Sequence, residues 1–315
     1  HWDMPQALGQ LGGWTVRENA ERFGDYMGFI ARTFGDGLEN LVSINEPWCV
    51  AWLSHYLGEH APGLKDLNSA ASANHFVCLG HGLGVQAARA ETAKPIGIVL
   101  NFTPGRVENR SDSDITALER YEAVTNTWYL SAVTKGKYPH AALSELEPLL
   151  PRNWQRDMDI IRAPIDFIGI NYYTTQMLKA GGQDFPYVET VDRNLPKTDM
   201  GWEIEPKGLT DAINLVSQYA PDMPLYITEN GMASEKSISD PDRIKYYRDH
   251  LDVVAKAAQT LPIKGYFAWS LLDNFEWAFG YKKRFGLVYV DYETQQRTKK
   301  DSFKWWQSEL VRPLA

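Results

Sequence analysis

Five short apolar runs separated by longer helical stretches limit most strongly how this chain can fold. Runs at 40–45, 96–101, 166–173, 225–228 and 263–270 read as strands, and those at 18–32, 69–92, 209–219 and 241–259 as helices. Short strands alternating with helices signal parallel βα units. Ala70, Ala73, Ala87 and Ala88 support the second helix. A Ser/Asp-rich stretch at 111–114 starts another, since acidic side chains suit the positive end of a helix dipole, and 303–310 reads as a closing helix. No repeat, low-complexity segment or composition shift divides the 315 residues, so one domain over 1–315 is expected.

Bulk composition narrows the class of partner. A formal net charge of -8 and a pI near 5.4 argue against nucleic acid or an anionic membrane as the main partner. The sequence holds no apolar stretch of about eighteen residues and opens on no signal-peptide pattern. Its two cysteines, Cys49 and Cys78, give no disulfide framework, which suits a reducing cytoplasm, the expected location. Aromatic residues make up 12%, with 11 Trp, enough to serve either core packing or a cleft that lays flat apolar faces against sugar rings.

Two of the strand-like runs end on a glutamate. Ser43-Ile44-Asn45-Glu46-Pro47 places Glu46 before a proline, and Tyr226-Ile227-Thr228-Glu229-Asn230-Gly231 places Glu229 before an Asn-Gly pair that reads as a turn former. A single glutamate after a strand is ordinarily a solvated loop residue. Two of them, each beside an asparagine that can hydrogen-bond a hydroxyl, point to a paired-carboxylate site. Glycosidic bond cleavage needs such a pair, one carboxyl protonated to assist the leaving group and the other ionised to attack the sugar carbon.

Further motifs occur in order along the chain. They are His1-Trp2-Asp3-Met4-Pro5, Asn171-Tyr172-Tyr173, Trp269-Ser270-Leu271-Leu272-Asp273-Asn274-Phe275-Glu276-Trp277 and Arg284-Phe285-Gly286-Leu287-Val288-Tyr289-Val290-Asp291. With the Asn-Glu-Pro and Thr-Glu-Asn-Gly stretches, they make the chain resemble glycoside hydrolase family 1, the β-glucosidase family, over essentially its whole length. The resemblance implies that Glu46 is the general acid/base and Glu229 the nucleophile of a retaining reaction without a cofactor, acting on terminal β-D-glucosides or short β-linked oligosaccharides. It implies Asn45 as a ligand of the sugar 2-hydroxyl and Tyr173 as a hydrogen-bond partner of the nucleophile. Asn171 shares Tyr173's side of the strand by alternation, and Tyr172 faces the other way. By the same resemblance Trp269, Glu276 and Trp277 are expected in the glycone-binding wall, Phe285 among the substrate-binding residues, His1 at the 3-hydroxyl, and Trp48 and Trp202 at the aglycone entrance. A carboxylate at Glu276 favours neutral hexosides, since it would repel a 6-phosphate. His55, His60, His75, His81, His140 and His250 form no metal-site spacing, and Gly80-His81-Gly82-Leu83-Gly84 is too weak a pattern for phosphate binding.

The resemblance also implies an α/β (β/α) TIM barrel, but only about five of its eight strands are legible. In the family, His1-Trp2-Asp3 follows the third barrel strand, so an incomplete barrel is expected. The strands before it normally supply a glutamine that grips the sugar and an arginine beside the nucleophile. Without that cation Glu229 is expected to have a higher pKa. Apolar interior at Leu41-Val42 and Tyr266-Phe267 would be exposed on the open side, so a homo-oligomer covering it is expected, with a partner fragment or a rearranged segment at 6–14 as the other routes. Two functions stay open: an active β-glucosidase-type hydrolase, and a catalytically impaired sugar-binding fragment that needs self-association or a partner chain. An aldolase-type barrel enzyme has little support, because no lysine sits at a strand end beside these carboxylates.

Overall fold

The computed structural model describes residues 1–235 and 238–310; the one-domain expectation extends over 236–237 and 311–315, which lie outside the described residues. The main sheet consists of β1 (Leu41–Asn45), β2 (Ile96–Phe102), β3 (Phe167–Tyr172), β4 (Leu225–Asn230) and β5 (Ile263–Ala268). The strands lie in sequence order and every pairing is parallel. Sequential order without a reversal is that of a barrel wall, whereas a doubly wound sheet changes direction at a switch point. The principal helices are α1 (Arg17–Phe34), α2 (Leu67–Glu91), α3 (Asp112–Glu122), α4 (Trp128–Lys135), α5 (Pro206–Tyr219), α6 (Pro241–Ala257) and α7 (Asp301–Leu310).

Local chemistry accounts for several of these boundaries. The Asp66 carboxylate caps α2 by accepting the Ser69 amide at 2.8 Å, and Ser111 Oγ caps α3 by accepting the Asp114 amide at 3.2 Å. α1 buries Ala20, Gly24, Met27, Gly28 and Ala31, spaced as one helical face. The glycine-rich run at 80–84 lies inside α2 and serves packing: a Cβ on Gly82 would sit 2.1 Å from the Ile160 carbonyl oxygen.

β2 and β3 are the hydrophobic centre. Ile98, Leu100, Ile168 and Ile170 are at most 3% exposed, and each contributes about 1.5–3 kcal/mol by leaving water. The edge strands differ. In β1 Val42 is 39% exposed, and in β5 no residue is buried and Phe267 is 57% exposed. The expectation of exposed apolar pairs is corrected at one residue of each pair. Leu41 is 4% exposed within a cluster with Met27 and Val85, and Tyr266 packs beside Tyr247 and Trp306. Strand alternation sends one residue of each pair under the helices and the other to the opposite face.

Structure that the sequence reading did not anticipate surrounds the sheet. Strands Gly105–Val107, Gln176–Ala180 and Val188–Thr190 form a small sheet, and Val288–Val290 pairs antiparallel with Arg297–Lys299. Among the described residues no helix is long and apolar enough to cross a membrane.

Candidate active site

The C-terminal ends of β1, β3 and β4 bring the chemistry together. Irregularities in register fall there, between Val42 and Asn45, between Ile170 and Asn171, and between Ile227 and Asn230. Such bulges re-aim side chains at barrel rims. Glu46 follows β1 with φ 51°, a left-handed conformation uncommon outside glycine and often found where a side chain is held for function. Its amide still bonds the Val99 carbonyl of β2 at 3.0 Å.

The two carboxylates are held by different sets of donors. Glu229 Oε2 accepts the Tyr173 hydroxyl at 2.7 Å, and Oε1 accepts the Asn45 amide at 3.2 Å. Glu46 Oε1 accepts the Asn171 amide at 2.7 Å, while Oε2 faces the Cys49 thiol at 3.0 Å and His1 Nε2 at 3.4 Å. Asn171 also donates to Asn45 at 3.1 Å, and Thr228 orients it by donating to its Oδ1 at 2.6 Å. Asn45 and Asn171 therefore link the two glutamates in one network.

Burial dominates the electrostatics. It pushes Glu229 up to about 8, reinforced by the Glu46 charge and opposed by Tyr173, Asn45 and Asn171. Glu46, fully enclosed, is also raised by burial and opposed by the Asn171 and Cys49 hydrogen bonds. No Lys or Arg pairs with Glu229 among the described residues, so no cation offsets the rise. Glu46 and Glu229 interact, so they titrate as a pair, and burial favours keeping a proton on it.

Around them lies a cleft of about 480 Å³, lined by Trp48, Trp202, Trp269, Glu276, Trp277 and Phe285 together with His1, Glu46, Cys49, Asn171, Tyr173 and Glu229. Every candidate site residue read from the sequence borders this cleft or bonds a residue that does. His1 is held rather than frayed, its Nδ1 3.1 Å from the Asn45 carbonyl. Tyr172 faces away, as alternation requires, its hydroxyl donating to the Glu205 carbonyl at 2.5 Å. Tyr173 and Phe285 meet edge to face at 6.0 Å, and Trp202 lies 5.4 Å from the Tyr173 ring.

The loop after β5 carries Glu276 and Trp277, and a buried charge cluster braces it. Asp273 accepts Lys300 at 2.9 Å and Arg284 at 2.7 Å, and its Oδ1 also takes the Gly286 amide at 3.0 Å. Glu276 is pushed up to about 7 by burial and by Glu46, and its Oε2 has no hydrogen-bond partner among the described residues. A buried acceptor without a partner is costly unless a ligand supplies the donor.

Asn230-Gly231 is not the turn its sequence implies. Asn230 is the last residue of β4, wholly buried, donating to the Tyr172 carbonyl and accepting the Tyr266 hydroxyl at 2.6 Å. Gly231 is required by close approach: a Cβ there would lie 1.9 Å from the Trp269 carbonyl oxygen. The sequence reading missed Trp2, which donates its indole N–H to the Cys49 carbonyl at 3.2 Å and stacks on His60 at 3.9 Å. It also missed Cys49, although three-residue spacing from Glu46 could have signalled a shared helical face. Gln176, Leu178, Val188 and Thr190 of the small sheet border the outer cleft with no comparable signal.

Known proteins carry this arrangement further. A "1,4-beta-D-glucan glucohydrolase" of Thermotoga neapolitana is 42% identical, covering 97% of this chain and 71% of the relative. A "bifunctional beta-D-glucosidase/beta-D-fucosidase" of Bifidobacterium breve is 40% identical, covering 97% and 72%. The solved family 1 β-glucosidase of Thermotoga maritima superposes with a TM-score of 0.94 at 41% identity, over 98% of this chain and 72% of that one. The family pattern for glycosyl hydrolase family 1 matches residues 1–312, and the chain belongs to that family of α/β-barrel glycosidases.

Proposed function

We propose that the chain is a retaining β-glycosidase of the β-glucosidase type, hydrolysing terminal non-reducing β-D-glucosides by double displacement. The observation that carries this is the linked pair, Glu229 gripped by Tyr173 and Asn45 and Glu46 enclosed beside Asn171 and Cys49. Donors oppose the rise at both carboxyls, and this route takes the proton that the pair keeps to lie on Glu46 when substrate is bound. In the first step Glu46 gives its proton to the glycosidic oxygen while a Glu229 oxygen bonds the sugar carbon and the aglycone departs. In the second, Glu46, now a carboxylate beside a neutralised ester, takes a proton from the water that displaces Glu229. Retention by this route calls for carboxyls about 5–5.5 Å apart. Asn45 serves the 2-hydroxyl, and the unpartnered Glu276 oxygen accepts from the 4- and 6-hydroxyls. The names of the relatives, and solved T. maritima complexes with glucoimidazole and deoxynojirimycin, support a glucoside as substrate. Hydrolysis of p-nitrophenyl β-glucoside by the purified chain, abolished in Glu229→Ala, is the expected result; turnover that persists in this variant contradicts it.

A second reading draws on the raised Glu229 and on the exposed Val42 and Phe267 of the edge strands. Five strands then form an arc of an incomplete barrel whose open side another copy covers, and the isolated chain is impaired. Light scattering at micromolar concentration should show an oligomer whose activity falls with mass on dilution. A fully active monomer rules this out.

A further inference from the structure

Glu46 has to change protonation state between the two steps, so each group bonded to it must suit either a carboxylic acid or a carboxylate. Asn171, which only donates, suits Oε1 in either state, because a carboxylic acid keeps one acceptor oxygen, so Oε2 is the oxygen whose partner must both donate and accept. Cys49 can do both. Its Sγ lies 3.0 Å from Glu46 Oε2, the oxygen opposite the one that Asn171 holds. A thiol can donate its proton to a carboxylate and, after rotation about Cβ–Sγ, accept one weakly from a carboxylic acid. Both side chains are enclosed, Cys49 at 8% and Glu46 at 7% exposure, so bulk water does not substitute for the contact.

The backbone fixes this approach. Pro47 and Trp48 begin a helical turn, and Cys49–Leu53 continue it as a wide turn that lays the third residue after Glu46 back over the carboxyl. The Cys49 carbonyl accepts the Trp2 indole N–H, tying this turn to the cleft wall. Burial and the neighbouring carboxylates push the Cys49 thiol well up, so it stays neutral and keeps its proton to donate. Cys78 makes a useful contrast. It is also buried, but it sits mid-helix in α2, where its side-chain partner is Tyr138 and not a carboxylate.

We infer that Cys49 is a positioning residue for the acid/base, a two-way hydrogen-bond partner that steadies Glu46 both as an acid and as a base. This rests on the reading of Glu46 as acid/base. Without the thiol, ionised Glu46 loses a donor and its titration moves up. Glycosylation, which uses the acid form, is then spared. Deglycosylation, which needs the carboxylate at the start, slows near neutral pH.

The test uses Cys49→Val and Cys49→Ser, with Cys49→Ala as a second donorless variant should valine not be accommodated and Cys78→Ala as a control. The Glu46 carboxyl is titrated by carbon-13 NMR, its signal assigned by loss in Glu46→Gln, and kcat is followed against pH for aryl glucosides. Removing the donor should raise the Glu46 titration and the alkaline limb of kcat/KM by about one pH unit. It should lower kcat about 3–10-fold for a dinitrophenyl glucoside, limited by deglycosylation, and leave kcat/KM for a poorer leaving group nearly unchanged. Cys49→Ser should return both toward the parent, and Cys78→Ala should move neither. A Glu46 titration within about 0.2 units of the parent in the donorless variants overturns the inference, as does an equal loss in both steps. An alkaline limb that survives in Glu46→Gln instead overturns the acid/base reading beneath it.

Discussion

The centre of the sheet and its edges hold the same site by different means. β2 and β3 have a strand on each side and are almost wholly buried, so Asn171 and Tyr173 emerge from a backbone fixed by ladders. β1 and β5 each have one neighbour among the described strands, with Val42 and Phe267 exposed. The groups these edges carry, Glu46 after β1 and Glu276 after β5, are fixed mainly by side chains. Cys49, Asn171 and His1 surround Glu46, and the Asp273–Lys300–Arg284 cluster braces the Glu276 loop. Where backbone pairing stops, hydrogen-bonded side chains take over the positioning, and such contacts are the easier ones to lose by single substitution.

Substitution at the centre should cost most. Tyr173→Phe removes a 2.7 Å donor to Glu229, and a hydrogen bond to a charged group is worth about 1.5–3 kcal/mol, so kcat/KM should fall about 10–100-fold. The acid limb of the pH profile should also move up, since the lost donor favoured the carboxylate. An unshifted limb would mean that Tyr173 packs against Glu229 without tuning it.

At the β5 edge the expected effect concerns choice of substrate. Cellobiose should be turned over in preference to cellobiose-6-phosphate, because Glu276 repels the phosphate, and Glu276→Ser should narrow that preference about tenfold. Equal activity of the parent on both substrates would refute the assignment.

The smallest effect is on stability. Burial raises Glu229 from 4.5 to about 8, so its contribution to folding is present below about pH 4.5 and is lost as pH rises through about 8. Glu229→Gln carries no such penalty. It should match the parent near pH 4 and exceed its Tm by a few degrees, about 2–4 °C, at pH 9. A difference that does not vary with pH would show that Glu229 does not titrate as described.

The sequence revealed the centre better than the edges for a physical reason. The apolar runs of β2, β3 and β4 and the two glutamates announce themselves locally, as does the alternation that separates Tyr172 from Tyr173. Strand ends were legible to within a residue or two, as with 40–45 against Leu41–Asn45. The edges depend on contacts remote in sequence. Asp273 meets Lys300 across 27 residues, and His1 meets Asn45 across 44. Gly231 looks like a turn residue until the Trp269 carbonyl arrives against it. Two of the three strands in the small sheet beside the cleft have only three residues, too short for alternation to register.

The central claim is that Glu229 is the nucleophile and Glu46 the acid/base, acting from opposite faces of the sugar, and azide rescue tests it most directly. With a good leaving group, Glu46→Ala plus azide should recover turnover and release a β-glycosyl azide, because the anion replaces water in attacking the intermediate on Glu229. Glu229→Gly plus azide should yield the α-glycosyl azide, the anion having taken the nucleophile's place. Proton NMR of the anomeric signal distinguishes the two products. Opposite anomers from the two variants are the predicted result, and the same anomer from both would contradict the assignment.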